Sequence, residues 1–438
     1  MLVDFTVENY RSIKEPVTLS AVAQKKSTRQ KSQNSKRSRV KSDDEITPGY
    51  HIEGWDIDIL PVLAIFGANA SGKSNVIQAL DYLLLMMRDG IQGAARNQTI
   101  FKYAKLDPFK LDNISENNPT SFELRTVLNN EIYTYSLALN QKHIILEKLD
   151  YAISKTKRPR RLFSRKWDDV SQKFIWKTGD DFSGPHNQLQ KSIRENELFI
   201  STLAKLEVKK IEPFVQWLRR RCPGINLGNE HFDISFIPGL QAIDISKFKE
   251  ILQRTLEIVK KFDTGLSDIK IEKKSEEYFD FKILAIHEKD DGQTISWPFE
   301  EESLGTQRLL SFTARIVFYL EIGALVIVDE LGTNLHPNIV RHIIKIFQNP
   351  KTNPRNTQLI LTSHDNTLQR NNLLRRDQIW FTQKRPDHST ELYPLTDFHV
   401  RNDLAIDKAY LDGRFGAVPF LPSSEEMILQ GDEQCQDS

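Results

Sequence analysis

The amino-acid sequence predicts an α/β fold: a buried main sheet, an antiparallel β subdomain beside it and a helical insert. Three observations predict it. An apolar run at 57–66 passes through a glycine loop, Gly67-Ala68-Asn69-Ala70-Ser71-Gly72-Lys73-Ser74, into a helix-patterned stretch at 76–87. Further apolar runs of strand length recur far downstream at 324–328, 358–362 and 378–381. Short β-like segments at 101–149 and helical patterning at 185–262 fill part of the interval.

Taken in order, residues 1–20 read as a strand pair, with Phe5, Val7, Val17 and Leu19 alternating with polar neighbours. Residues 25–41 hold eight Lys and Arg and no acid, and 155–166 hold seven more. Both stretches are poor in apolar residues, so a solvated loop and a polyanion contact are alternative readings. The β-branched content of 57–66 favours a buried strand, with Pro61 fitting its first position, where a missing ladder bond costs little. Leu80, Leu83, Leu84 and Met87 then repeat at helical spacing. The segments 121–124 and 133–137 suggest the antiparallel layer. Pro223-Gly224 interrupts the helical region, strand-like sequence returns at 269–286, and an apolar helix runs from Ser303 to about 320. The acidic, polar residues after about 423 read as a frayed tail. The expected divisions are 1–150, an N-terminal part with the glycine loop and β layer; 151–290, an insert, mainly helical with a basic loop; 291–425, a C-terminal part; and 426–438, a flexible tail.

Composition narrows the class. The 438 residues are 39% hydrophobic and 27% charged, with a net charge of +1, as in a soluble globular protein. No run of about 18 apolar residues occurs, so no membrane-spanning helix is expected. The N-terminus lacks the basic-then-apolar layout of a signal peptide. Two cysteines, Cys222 and Cys435, stand far from each other and from any metal-ligand spacing, which favours a reducing, cytoplasmic setting.

Four motifs carry chemistry. In Gly67-xxxx-Gly72-Lys73-Ser74 the glycines let the backbone N–H groups of residues such as Asn69, Ala70, Ser71 and Asn75 surround phosphate oxygens. Lys73 neutralises the β and γ phosphates, Ser74 offers a hydroxyl to Mg2+, and the next helix points its positive end at the anion. At 325–330 four apolar residues end in Asp329 and Glu330, a carboxylate for Mg2+ and a general base for water. Ser303-Leu304-Gly305, before an apolar helix, reads either as a helix cap or as donors presented to a phosphate. Thr362-Ser363-His364-Asp365 ends a buried strand, where His364 would reach the γ phosphate or where Ser363 or Asp365 would cap the next helix.

In this order the four resemble the Walker A, signature, Walker B and switch histidine of the ABC-type ATPases. The resemblance implies a P-loop NTPase of ABC-ATPase type, ATP with Mg2+, and a nucleotide between two subunits, the P-loop of one facing Ser303 and Gly305 of the other. Asn9-Tyr10-Arg11-Ser12, Leu335-His336-Pro337 and the segment 410–419 are similar to bacterial AAA_15-type proteins, including RloA-like and AbiLi-like abortive-infection ATPases. There is a departure at Leu331-Gly332-Thr333-Asn334, where relatives usually carry an acid and then a serine. Nor does Gln78, inside the first helix, convincingly match the glutamine that often links nucleotide to the lobe interface.

The resemblance implies an ATP-hydrolysing dimeric sensor in antiphage defence, partnered by a separately encoded effector nuclease or toxin. The chain after His364 is shorter than an appended Toprim-type domain needs. The alternatives are a RecF-like repair ATPase that contacts DNA through 25–41 and 155–166, and a non-hydrolysing ATP-binding scaffold.

Overall fold

The computed structural model describes residues 1–25, 49–96, 105–182, 186–203, 210–222, 245–262, 265–273, 281–332, 335–370, 373–401 and 404–419. The basic segment 25–41 beyond Lys25, Cys435 and the expected tail at 426–438 lie outside them.

The chain begins with β1 (Leu2–Glu8) and β2 (Val17–Ser20), antiparallel with Phe5 opposite Leu19 and Val7 opposite Val17, as the alternation predicts. A small hairpin, β3 (Tyr50–Ile52) and β4 (Ile57–Ile59), precedes β5 (Val62–Gly67). The single strand expected at 57–66 is therefore two. Leu60-Pro61 separates them, and the proline, which has no N–H to donate, lies before β5 rather than in it. Then come α1 (Lys73–Arg96), broken at Gly90, and five strands: β6 (Thr120–Leu128), β7 (Glu131–Leu139), β8 (Ile144–Ile153), β9 (Arg160–Asp168) and β10 (Lys173–Thr178). Helices α2 (His186–Ser192), α3 (Phe199–Leu203), α4 (Glu212–Arg221) and α5 (Ile245–Val259) follow. The C-terminal part runs β11 (Leu266–Lys273), β12 (Phe281–Glu288), β13 (Thr294–Pro298), α6 (Leu304–Ile322), β14 (Leu325–Val328), α7 (Pro337–Gln348), β15 (Gln358–Thr362), β16 (Ile379–Lys384), β17 (Thr390–Pro394) and α8 (Ile406–Leu411).

The central sheet has the order β14-β15-β5-β16-β17, parallel except for β17. β5 and β14 are apolar throughout and wholly buried, because both faces of the sheet are covered there. Leu63, Ile65, Leu325 and Ile327 point into one core with α1, while Val62, Ala64, Phe66, Val326 and Val328 point into another with α6 and α7. The period-2 alternation of a strand thus divides one apolar run between two cores.

The first core is roofed by a seven-stranded antiparallel sheet, β10-β9-β8-β7-β6-β1-β2. Here the structure corrects the expected organisation. The sheet passes the boundary drawn at 150, and residues 160–178 supply two of its strands rather than opening a helical insert. Of the basic stretch 155–166, residues 155–159 form an exposed turn and connection, as a solvated loop would, and the rest belongs to β9. Leu162 and Phe163 are buried, and Arg165 is wholly enclosed opposite Glu147 of β8. The Arg165 cation is therefore unavailable to a polyanion.

A third, smaller core joins Leu256 and Val259 of α5, Ile283 and Ala285 of β12, Phe299, and Leu309 and Leu310 of α6. It seats the start of α6 on the three-stranded sheet β11-β12-β13. Ser303 caps α6 and the left-handed Gly323 (φ 66°) ends it, a conformation favoured by a residue without Cβ. Among the described residues, no helix is long and apolar enough to cross a membrane.

Candidate functional site

The loop between β5 and α1 is shaped by close approach. At Gly72 (φ +105°) a Cβ would stand 2.1 Å from Thr390 Oγ1, and at Gly67 one would stand 2.5 Å from the Thr382 carbonyl oxygen. Ser71 Oγ bonds Thr382 Oγ1 at 2.7 Å, and Thr390 Oγ1 donates to the Ser71 carbonyl at 3.0 Å. Thr390 Oγ1 also lies 2.7 Å from Ser12 Oγ, which accepts from Asn75 Nδ2 at 2.6 Å. Strands β16 and β17 and the Asn9-Tyr10-Arg11-Ser12 turn therefore brace the loop from behind. Gly72→Ala adds a left-handed non-glycine residue and a clash, so it is expected to cost at least about 2 kcal/mol of stability. A urea titration checks this, and an unchanged midpoint would mean that Thr390 yields.

Lys73 is 5% exposed and curls onto its own loop, donating to the carbonyls of Gly67 and Ala68, both at 2.9 Å. Burial lowers its pKa, against the opposing pull of the Glu330 and Asp329 charges. This ammonium, whose hydrogen-bond partners among the described residues are carbonyls, is placed to exchange them for a more strongly charged acceptor.

At the end of β14, Asp329 Oδ1 accepts from Thr362 Oγ1 at 2.6 Å and from Ser74 Oγ at 3.1 Å. Glu330 adopts φ 55°, an unusual conformation for this residue type, and its N–H donates to Thr362 Oγ1 at 2.7 Å. The turn aims the Glu330 carboxylate at His364, whose Nε2 lies 3.8 Å from Glu330 Oε1. Of the two readings of 362–365, Asp365 does cap a short 3-10 turn, Asn366–Gln369, by accepting from Thr367 N at 2.9 Å. His364 stands outside that cap and faces Glu330.

These groups meet in an open cleft of about 900 Å³ lined by 69–75, Glu330 and His364. Ser303 and Gly305 do not line it. They lie exposed at the start of α6, where Ser303 Oγ accepts from Thr306 N at 3.1 Å and a Cβ on Gly305 would meet only Ser303 Oγ, at 3.7 Å. Within one chain the helix-cap reading is the one realised. Leu331 and Gly332 follow the acids directly, while Thr333 and Asn334 lie outside the described residues.

The residues fit a nucleotide and a hard cation. Among the described residues no group of three or more His, Cys, Asp or Glu could cage a metal. A hydroxyl and a carboxylate, Ser74 and Asp329, suit an ion that completes its shell from phosphate and water, as Mg2+ does. Sequence reasoning placed Thr362 in a motif without giving it a role, and missed Thr382 and Thr390, since isolated threonines carry no motif. It also set aside Gln78, which accepts from Arg11 Nη1 at 2.9 Å and approaches Asp329 Oδ2 at 3.5 Å.

Comparison with known proteins supplies the family. Residues 62–370 match the family AAA_21, described as "AAA domain, putative AbiEii toxin, Type IV TA system". No curated protein matches. Among solved structures, the SMC head domain from Thermotoga maritima is similar at 13% identity and a TM-score of 0.38, covering 90% of this chain and 98% of that one. An SmcHead bound to the C-winged helix domain of ScpA reaches 13% and 0.44, covering 94% and 99%. An Smc head with an extended coiled coil from Pyrococcus furiosus reaches 10% and 0.36, covering 94% and 98%. The matched region runs from β5 past β15 and takes in the loop, both acids and His364, and the chain belongs to the AAA_21 family.

Proposed function

We propose that the chain hydrolyses ATP as a nucleotide-bridged dimer and that this cycle regulates a separately encoded nuclease or toxin in the cytoplasm during antiphage defence. The supporting observation is the division of the site. Lys73, Ser74, Glu330 and His364 share one cleft, while Ser303 and Gly305 stand exposed elsewhere on the same chain.

In this reading the backbone N–H groups of 69–75 and Lys73 hold the β and γ phosphates. Ser74 and Asp329 hold Mg2+, which when bound would neutralise phosphate charge. Glu330 takes the proton of the attacking water, and His364 donates to a γ-phosphate oxygen. Ser303 and Gly305 of a second copy close over that phosphate. The defence setting is supported by the toxin description of the family and by the resemblance of 9–12 and 410–419 to abortive-infection ATPases.

Complementation tests the shared site. Lys73→Ala and Ser303→Ala should each lose turnover. Mixed in equal amounts, they should recover about a quarter of the parent rate, because about half of the dimers are then mixed and one of the two symmetry-related sites in each joins an intact loop to an intact serine. A mixture as inactive as its parts refutes the shared site.

A further inference from the structure

We propose that His287 and Trp297 are positioning residues that fix Ser303 through the carboxylate of Glu302. The inference rests on the reading above, that Ser303 closes a partner's site.

His287 of β12 and Trp297 of β13 lie near each other across the ladder, Ala285 facing Trp297 and His287 facing Ile295. Their rings stack with centroids 4.2 Å apart and planes at 12°. Both ring N–H groups address one atom: His287 Nε2 lies 2.6 Å and Trp297 Nε1 2.8 Å from Glu302 Oε1. The Glu302 side chain is only 7% exposed. A buried carboxylate is costly unless well bonded, so its retention here calls for a reason.

Helix capping is not that reason. Ser303 already accepts from Thr306 N, whereas the Glu302 carboxylate turns back to the sheet. The other side of the same residue is also held. Gln307 Nε2 donates to the carbonyls of Glu302 at 2.7 Å and Glu300 at 2.9 Å. Glu302 is thus clamped by its side chain to β12–β13 and by its backbone to α6. The next residue, Ser303, is exposed and has its φ and ψ set at −56° and 144°. The clamp holds the exposed Ser303 in one place, as a group serving another molecule requires.

The test uses the full-length chain and measures phosphate release, ATP affinity per protomer and thermal melting. Glu302→Ala should lower turnover about 100-fold, the effect of roughly 1 Å of misplacement, with ATP affinity kept. Trp297→Phe, which removes one N–H and keeps the ring, should lower it about ten-fold. Glu302→Gln keeps an accepting oxygen and should recover most of what Glu302→Ala loses. Glu302→Ala mixed with Lys73→Ala should recover turnover as the Ser303→Ala mixture does. Parent-level turnover in both Glu302→Ala and Trp297→Phe overturns the clamp. So does a Glu302→Ala mixture that stays inactive while the Ser303→Ala mixture recovers, and this outcome leaves the shared site standing. If neither mixture recovers, the shared site falls and the clamp with it.

Discussion

Glu330→Gln is expected to stop ATP turnover while ATP still brings two copies together. The substitution keeps the shape of the side chain and its contact range to His364, 3.8 Å in the parent, but removes the basic oxygen. General-base catalysis contributes about 10²–10⁴-fold, so phosphate release should fall by that factor. Lys73, Ser74 and Asp329 are untouched, so binding should persist and the dimer should accumulate because it no longer resolves. Phosphate release and light-scattering mass, with and without ATP, make the measurement. Hydrolysis at the parent rate removes Glu330 from the role of base. Loss of ATP-dependent mass with turnover intact would separate assembly from the cleft altogether.

The largest expected loss of stability lies outside the cleft lining, at Glu147. Its Oε2 accepts from Arg165 Nε at 2.8 Å and Phe199 N at 2.9 Å, and its Oε1 from Tyr135 OH at 3.0 Å and Ile200 N at 2.9 Å. Both members of the Glu147–Arg165 pair are fully buried, and the guanidinium lies 4.6 Å from the Phe174 ring. Burial, reinforced by the Glu147 charge, holds the Tyr135 phenol well above its ordinary pKa, so it keeps the proton it donates. Glu147→Ala strands a buried cation and two N–H groups of α3, and should cost about 3–5 kcal/mol. Replacing both partners, Glu147→Met with Arg165→Met, should recover much of that, because the stranded charge dominates the loss. Denaturant midpoints of the two variants decide it. A loss below about 1 kcal/mol in Glu147→Ala would mean that water reaches Arg165.

The cleft was legible in sequence because phosphate chemistry restricts residue types at fixed spacing. Only glycine tolerates what Thr390 and Thr382 impose at 72 and 67, and apolar strands such as 325–328 and 358–362 can hardly be anything but buried. The β layer was legible up to 150 for the same periodic reason. Beyond that point it was hidden: β9 begins within a run of cations, and charge counting does not show that one of them, Arg165, faces inward to a glutamate 18 positions earlier. Gln78 was lost differently. Its setting inside a helix was plain, but its reach to Arg11 and Asp329 depends on how β1 and β14 meet α1.

The hydroxyls behind the loop have a direction. Each carries a single hydrogen, and Thr390 spends its own on the Ser71 carbonyl, so Ser12 must give its hydrogen to Thr390 and is left to receive from Asn75. Ser71 Oγ in turn gives to Thr382, whose hydrogen goes toward the Phe66 carbonyl. These dipoles form two one-way rows, both ending on main-chain oxygens around the loop. Rotating any one hydroxyl reverses no single bond alone but unseats every neighbour in its row, so the peptide groups at 66 and 71 keep their orientation collectively.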